Sequence, residues 1–299
     1  MPLLGVLSAG CGVPQKAGHG KLSYVVEPST KRGYWLYLPK ELVESAEPKR
    51  ADRLLPLVVS FHGMKPFDCA KSQAREWQTE ADRYGFIVIA PELRALDVLG
   101  QFPVRRLNRA FERDEETTLA ILDHVFETTP ADPRKVLSTS WSSGGYMAHY
   151  MLNRHPLRFT CLAVRQSNFS AAVLDGDRTP ASRRHPLLIV GTQNDFAICR
   201  RESKRAVEWY QQHQYQSVSW ITLRALGHQR TPDVAADFFA RVAGVRPRRA
   251  SEVLARRQVI DGQLQGNVFR DPVEPLFGDA RAGALSFRQL SRTGRTGVQ

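Results

Sequence analysis

Ser142, Asp195 and His228 are residue types that together could perform acyl transfer. Ser142 lies in STSWSSGG, between a strand-like apolar run and a helix-like amphipathic run. A serine hydroxyl becomes a nucleophile when a histidine accepts its proton and an acidic side chain orients that histidine. Asp195 follows the apolar run PLLIVGT and His228 follows SVSWITLRAL, so both lie in loops after later predicted strands. This arrangement predicts a triad, and the alternative is an ordinary turn of small residues at Ser142.

A second segment, LVVSFHGM, could supply another part of the same site. It is a continuous apolar run that ends at His62 and Gly63, as expected for a strand buried on both faces. Acyl transfer places negative charge on the carbonyl oxygen, so two backbone N–H groups must already point at that oxygen. We therefore predict the amides of Met64 and Ser143 as oxyanion donors. The alternative is that His62 and Gly63 simply turn the chain.

The order of these segments resembles a known enzyme family. The stretch from Ser140 to Gly144 is similar to the G-x-S-x-G nucleophile elbow of α/β-hydrolases, with Ser140 in place of the first glycine. Residues 30 to 243 resemble the polyhydroxybutyrate depolymerase and feruloyl or acetylxylan esterase group of that fold. The resemblance is carried, in this order, by RGYWLYLP, LVVSFHGM, GFIVIAPE, DPRKVLSTSWSSGG, LLIVGTQNDF and LGH.

The resemblance implies a role for each of these residues. Ser142 would be the nucleophile, His228 the general base and Asp195 the group that orients its imidazole, with Met64 and Ser143 as oxyanion donors. It also implies an ester substrate, small or polymeric. Nothing in the sequence suggests a metal or an organic cofactor. The short interval between Ser142 and Asp195 leaves little room for a large lid. Polyester, phenolic-ester and acetyl-ester bonds all stay open as the bond that is cleaved.

The remaining pattern predicts the scaffold that would position the site. Apolar runs alternate with amphipathic runs, which is typical of an α/β domain with a mainly parallel central sheet flanked by helices. KLSYVVEPS and YWLYLP, separated by a turn-like STKRG, predict a hairpin before it. We expect a leader at 1–20, the hydrolase domain at 21–244, and an Arg- and Gly-rich, weakly structured tail at 245–299.

Further residues could line the site. Trp141 and Met64 flank the reacting atoms and could form an apolar wall, although Trp141 is nearly as well explained as a core residue. His62 could also contact substrate. Residues 93–112 have no clear period and predict a long loop. Its aromatic and basic side chains could contact an acyl group or an anionic polymer, although a solvated connector is the simpler interpretation: Phe102, Phe111, Arg105, Arg106 and Arg109.

The N-terminus and the charge bear on localisation and partners. MPLLGVLSAGCG resembles a bacterial lipobox ending at Cys11, which favours export with a lipid anchor, whereas the absence of a preceding basic residue favours a cytoplasmic protein. The net charge is +12, but the arginines are scattered, so we expect no nucleic-acid partner. The other cysteines have neither zinc-ligand spacing nor a disulfide framework. The oligomeric state stays open.

Two alternatives to a serine esterase also stay open. Ser140 in the elbow and the unusual VRQSNF segment would fit a catalytically inactive hydrolase fold used for binding, although such a protein has no need of an ordered triad. A prolyl-oligopeptidase-like serine peptidase shares the fold and the triad order. Its large propeller domain has no counterpart before the first predicted strand.

Overall fold

A mainly parallel sheet organises the chain. The computed structural model describes residues 20–44, 53–95, 109–174, 182–224, 227–246, 250–265 and 285–286. The sheet order is β1-β2-β4-β3-β5-β6-β7-β8-β9-β10. Its strands are β1 (Lys21–Val26), β2 (Gly33–Leu38), β3 (Leu55–Phe61), β4 (Ile87–Pro91), β5 (Ala131–Trp141), β6 (Cys161–Arg165), β7 (Leu187–Thr192), β8 (Val218–Leu223), β9 (Val259–Leu264) and β10 (Leu285–Ser286).

The strands β4, β3, β5, β6, β7 and β8 pair in parallel, and the strands outside them pair antiparallel. The predicted hairpin is β1 and β2, with Lys21 opposite Leu38. Carboxyl ends of parallel strands share one edge of a sheet, so the loops after β3, β5, β7 and β8 meet there. Those are the loops in which the sequence places its candidate residues.

Helices cover both faces of the sheet. Successive side chains of a strand point to opposite faces, so Val59 packs with one helix layer and Val58 with the other. The first layer consists of α4, α5 and α6, and the second of α3, α7 and α8. The helices are α1 (Lys40–Val43), α2 (Ala70–Glu76), α3 (Gln78–Tyr84), α4 (Arg109–Thr128), α5 (Gly144–Arg154), α6 (Ala197–Gln212), α7 (Pro232–Val242) and α8 (Ala250–Arg257).

The expected loop at 93–112 is partly helical. The helix α4 begins at Arg109, whose side chain is exposed, and Phe111 in its first turn is fully buried with its ring centroid 5.8 Å from that of Tyr150. Phe111 is therefore a core residue and does not line a site. Phe102, Arg105 and Arg106 lie outside the described residues.

The expected weakly structured tail is ordered over 250–265. Val253 and Leu254 of α8 are buried against the second helix layer, and β9 pairs antiparallel with β8. The sequence prediction missed these elements for two reasons. The helix α8 has only eight residues, too few to show a helical pattern of apolar residues, and most side chains of β9 are exposed or half-buried, so β9 does not appear as an apolar run. Cys11 and the leader lie outside the described residues. Among the helices within the described ranges, none has the length and apolar character needed to cross a bilayer.

Replacing Val253 by Ala is expected to lower the free energy of unfolding by about 2 kcal/mol, because two buried methyl groups are lost from a site that cannot collapse fully. The matched control is Glu252→Ala on the exposed side of the same helix, which should change stability by less than about 0.5 kcal/mol. Urea denaturation followed by far-UV circular dichroism measures both. Equal stabilities of the two variants would contradict the placement of α8 in the core.

Candidate active site

Ser142 occupies a sharp turn between β5 and α5. Its φ is +57°, a left-handed conformation that non-glycine residues rarely adopt and that surrounding contacts must hold in place. The Ser142 carbonyl accepts hydrogen bonds from the N–H groups of Gly145 and Asn168, both at 3.0 Å. The Ser142 N–H donates to the Arg165 carbonyl at 3.4 Å. The structure therefore forms the elbow that the sequence predicts.

Two glycines allow the elbow to sit against its neighbours. A Cβ on Gly144 would lie 2.2 Å from the carbonyl oxygen of Phe61, and one on Gly145 would lie 2.3 Å from that of Asn168. Ser140 needs no such gap, because its buried Oγ lies 2.9 Å from the Ser167 Oγ in a hydrogen bond. A serine is therefore accommodated where the family pattern has its first glycine.

Asp195 and His228 are joined by a hydrogen bond. Asp195 follows β7 and His228 follows β8, and the His228 Nδ1 donates to the Asp195 Oδ1 at 2.6 Å. The same carboxylate oxygen accepts the N–H of Phe196 at 2.7 Å. The Asp195 side chain is 1% exposed and that of His228 12%, so the carboxylate fixes a ring that still reaches solvent. A proton on Nδ1 leaves Nε2 as the basic nitrogen.

Aromatic rings hold the imidazole from two directions. The ring centroid of Trp141 lies 4.4 Å from that of His228, and the ring of Phe196 lies 4.8 Å from it. Trp141 is nearly buried, whereas Phe196 is 62% exposed. Trp141 thus supports the base directly, and Phe196 presents an apolar surface to solvent beside it.

The segment after β3 lies beside Ser142. A Cβ on Gly63 would be 3.1 Å from the Ser142 Cβ, so no side chain separates the two backbones. The Gly63 N–H donates to the Asp68 Oδ2 at 2.6 Å. Among the described residues, the N–H groups of Met64 and Ser143 have no acceptor. Both amides are therefore available to an oxyanion.

His62 is a structural residue and not a substrate contact. It is fully buried, and its Nδ1 donates to the Gly63 carbonyl at 2.6 Å. Its Nε2 accepts the Leu93 N–H at 3.0 Å. Because both ring nitrogens are bonded, His62 fixes the turn after β3 and the expectation that it contacts substrate is wrong.

An ion cluster that the sequence did not reveal lies below the site. It consists of Asp68, Glu76, Arg165 and Arg230. The Arg230 Nη1 donates to the Glu76 Oε2 at 2.7 Å and its Nη2 to the Asp68 Oδ1 at 2.6 Å. Burial acts to lower the pKa of Arg230, but the carboxylates of Glu76 and Asp68 outweigh it and raise that pKa above its ordinary value. The partners are far apart in sequence, so no local pattern could have shown them.

Glu202 on α6 positions the loop after β6. Its buried Oε2 accepts the Asn168 Nδ2 at 2.8 Å, the Phe169 N–H at 3.1 Å and the Tyr146 hydroxyl at 3.0 Å. The Asn168 N–H in turn donates to the Ser142 carbonyl. A buried carboxylate in a helix has no sequence signature, so this support was also missed.

The donor set formed by Asp195, Cys199 and His228 is poorly suited to a metal. Asp195, Cys199 and His228 place potential ligand atoms within 4.8 Å of one another. Burial and the carboxylates of Asp195 and Glu202 raise the pKa of the Cys199 thiol to about 12, so it stays protonated at neutral pH. A thiolate is the form that binds metals. Asp195 and His228 are bonded to each other, which is the arrangement that proton transfer requires.

The fold is shared with solved esterase and peptidase structures. A ferulic acid esterase from Anaeromyces mucronatus has a TM-score of 0.55 at 13% identity, over 78% of this chain and 93% of that one. An S-formylglutathione hydrolase from Staphylococcus aureus has a TM-score of 0.54 at 13% identity, over 78% and 98%. An acylaminoacyl peptidase from Pyrococcus horikoshii has 0.53 at 16%, over 76% and 42%. The chain has the α/β-hydrolase fold, as the sequence resemblance implied.

Sequence comparisons add nothing to this assignment. No protein-family model matches the chain, and no curated protein sequence matches it.

Gly144→Ala is expected to slow the labelling of Ser142 by a fluorophosphonate probe about 10²-fold or more, because the added methyl would displace the elbow from the end of β3. Ser140→Ala is the matched control. It loses one hydrogen bond below the elbow, so it should label within about threefold of wild type while losing about 1 kcal/mol of stability. The measurement is the rate at which the probe labels each variant, on protein that circular dichroism shows to be folded. Similar losses in both variants would contradict the assigned geometry.

Proposed function

We propose that the protein is a serine hydrolase that cleaves carboxylic esters through an acyl-enzyme. One observation carries the proposal: an elbow serine at φ +57° and a histidine bonded to a buried aspartate at 2.6 Å lie in loops at one edge of the sheet. The fold that the chain shares with a ferulic acid esterase and an S-formylglutathione hydrolase supports it. The N–H groups of Met64 and Ser143, which have no acceptor among the described residues, support their proposed role as oxyanion donors.

The reaction follows from these groups. The Ser142 Oγ attacks the ester carbonyl while the His228 Nε2 takes its proton, and Asp195 stabilises the resulting imidazolium. The N–H groups of Met64 and Ser143 bind the oxygen that becomes negative. The imidazolium then protonates the departing alcohol, leaving Ser142 acylated. Water, deprotonated by His228, attacks the acyl group and releases the acid.

The surface around the triad favours a substrate with an apolar or aromatic group. Phe67, in the loop after β3, is 72% exposed, and Phe196 beside His228 is 62% exposed. Large exposed aromatics supply contact area for an apolar acyl or alcohol group, and the Phe196 ring lies 4.8 Å from that of His228. Phenolic esters and polyester chains both meet that requirement, and acetyl esters make less use of it.

The two alternatives have weaker support. An inactive binding protein would have no use for the Asp195 and His228 bond or for the strained elbow. The acylaminoacyl peptidase that shares the fold is covered over only 42% of its length. Peptide hydrolysis is therefore not part of the proposal, and the assay described next includes it as a contrary result.

Ser142→Ala is expected to lower kcat/KM for p-nitrophenyl esters by a factor of about 10⁴ or more, because the acyl-enzyme cannot form. The assay compares acetate, butyrate, octanoate and a hydroxycinnamate ester, and we expect the longer or aromatic acyl groups to be preferred. Ser203→Ala on α6 is the control and should retain wild-type turnover.

Two results would count against the proposal. Absence of turnover that depends on Ser142, in protein shown to be folded, would contradict an esterase. Hydrolysis of an acyl-peptide p-nitroanilide in preference to every ester would favour the peptidase alternative.

A further inference from the structure

Arg230 connects the loop of the general base to the loop of the oxyanion hole. It lies close after His228 in sequence, and its guanidinium bridges Glu76 and Asp68 at 2.7 and 2.6 Å. Asp68 belongs to the segment that follows Met64. The contact thus ties together two loops that are far apart in the chain.

The bridge extends to the backbone of the oxyanion loop. While Oδ1 of Asp68 binds Arg230, its Oδ2 accepts the Gly63 N–H at 2.6 Å and the Gln73 Nε2 at 2.8 Å. The Gly63 N–H belongs to the peptide between His62 and Gly63, and the Met64 N–H belongs to the next peptide, whose Gly63 carbonyl accepts the His62 Nδ1. Asp68 therefore fixes the start of the oxyanion loop, one peptide before the Met64 amide, and Arg230 is linked to that backbone through the Asp68 carboxylate.

The same guanidinium also supports the base. Its Cζ lies 4.3 Å from the ring centroid of Trp141, and that ring contacts His228 at a tilt of 35° with the centroids 4.4 Å apart. A cation over an indole face is attracted by the ring electrons. The Arg230 side chain thus contacts both Trp141, which packs against the imidazole, and Asp68, which binds the oxyanion loop.

Charge balance makes Arg230 necessary. The side chain of Asp68 is fully buried and that of Glu76 nearly so, and Arg165, fully buried, lies 2.5 Å from the other oxygen of Glu76. Removing Arg230 would leave two carboxylates with one cation. An unpaired buried negative charge is strongly unfavourable, and here it would lie next to the place where an oxyanion must form.

We propose that Arg230 is a positioning residue for catalysis, which fixes the loop that carries the Met64 amide through Asp68 and the His228 ring through Trp141. This inference rests on the proposed serine hydrolase function. Arg230 acts through these neighbours and contacts no reacting atom.

The test compares Arg230→Met and Arg230→Lys with wild type on a p-nitrophenyl ester, with active sites counted by fluorophosphonate labelling. We expect Arg230→Met to lower kcat about 10²-fold, with KM changed less than about threefold, because the lost interaction serves the transition state. Arg230→Lys should be intermediate, since an ammonium cannot bridge both carboxylates. Arg134→Met, whose side chain is 80% exposed, is the control and should match wild type.

Two further measurements separate positioning from folding. Guanidinium ion, below unfolding concentrations, should raise kcat of Arg230→Ala saturably, whereas sodium chloride at equal ionic strength should not. Asp68→Asn should cost less in the Arg230→Met background than in wild type, because it then removes the unpaired charge.

Several outcomes would overturn the proposal. The first is an unchanged kcat per active site in Arg230→Met. The second is a raised KM with an unchanged kcat, which would make Arg230 a substrate contact. The third is a loss of kcat that follows the loss of thermal stability and is not rescued by guanidinium. If the wild type labels with the fluorophosphonate but hydrolyses no ester, the esterase function fails alone, and the labelling rates of the same variants decide the role of Arg230. If the wild type does neither, both proposals fail.

Discussion

The left-handed backbone at Ser142 is the constraint on which the rest of the site depends. A non-glycine residue at φ +57° is unfavourable by about 1–3 kcal/mol, so its neighbours must hold it. The N–H groups of Gly145 and Asn168 do so by sharing the Ser142 carbonyl, and Glu202 holds Asn168 in turn. The Ser142 turn is thus held in part by a buried carboxylate on α6, which keeps the loop beside it in place.

The site is also built on matched buried charge. Asp68 and Glu76 face Arg165 and Arg230 in a group with no net charge, which contacts the candidate site through Gly63 and Trp141. Such a group stabilises little compared with an apolar core of the same volume, because each ion loses its hydration. Such a group does constrain orientation, because the hydrogen bonds between a guanidinium and a carboxylate fix the planes of both groups, whereas a hydrocarbon contact does not.

Sequence patterns were sufficient for the fold, and they placed Ser142 at the turn after β5 and Asp195 and His228 in loops at the same edge of the sheet, for reasons visible in particular residues. The central strands are buried on both faces and therefore read as continuous apolar runs, and Asp195 and His228 follow two of them directly. The patterns failed where a residue's role depends on partners distant in the chain. The sequence around His62 does not show that both of its ring nitrogens are hydrogen-bonded. The sequence around Phe111 does not show that α4 begins before that residue. Arg230 binds Glu76, which lies 154 residues away in the chain.

The strand β9 changes what the far edge of the sheet presents to other molecules. Without it, β8 would leave a row of unpaired N–H and C=O groups open to pairing with another chain, which is the usual origin of edge-to-edge aggregation. With β9 in place, the sheet continues beyond β8 through a strand that pairs in turn with the two residues of β10. The segment after α8 thus closes the edge of β8, the strand that leads toward the His228 loop, against pairing with another chain.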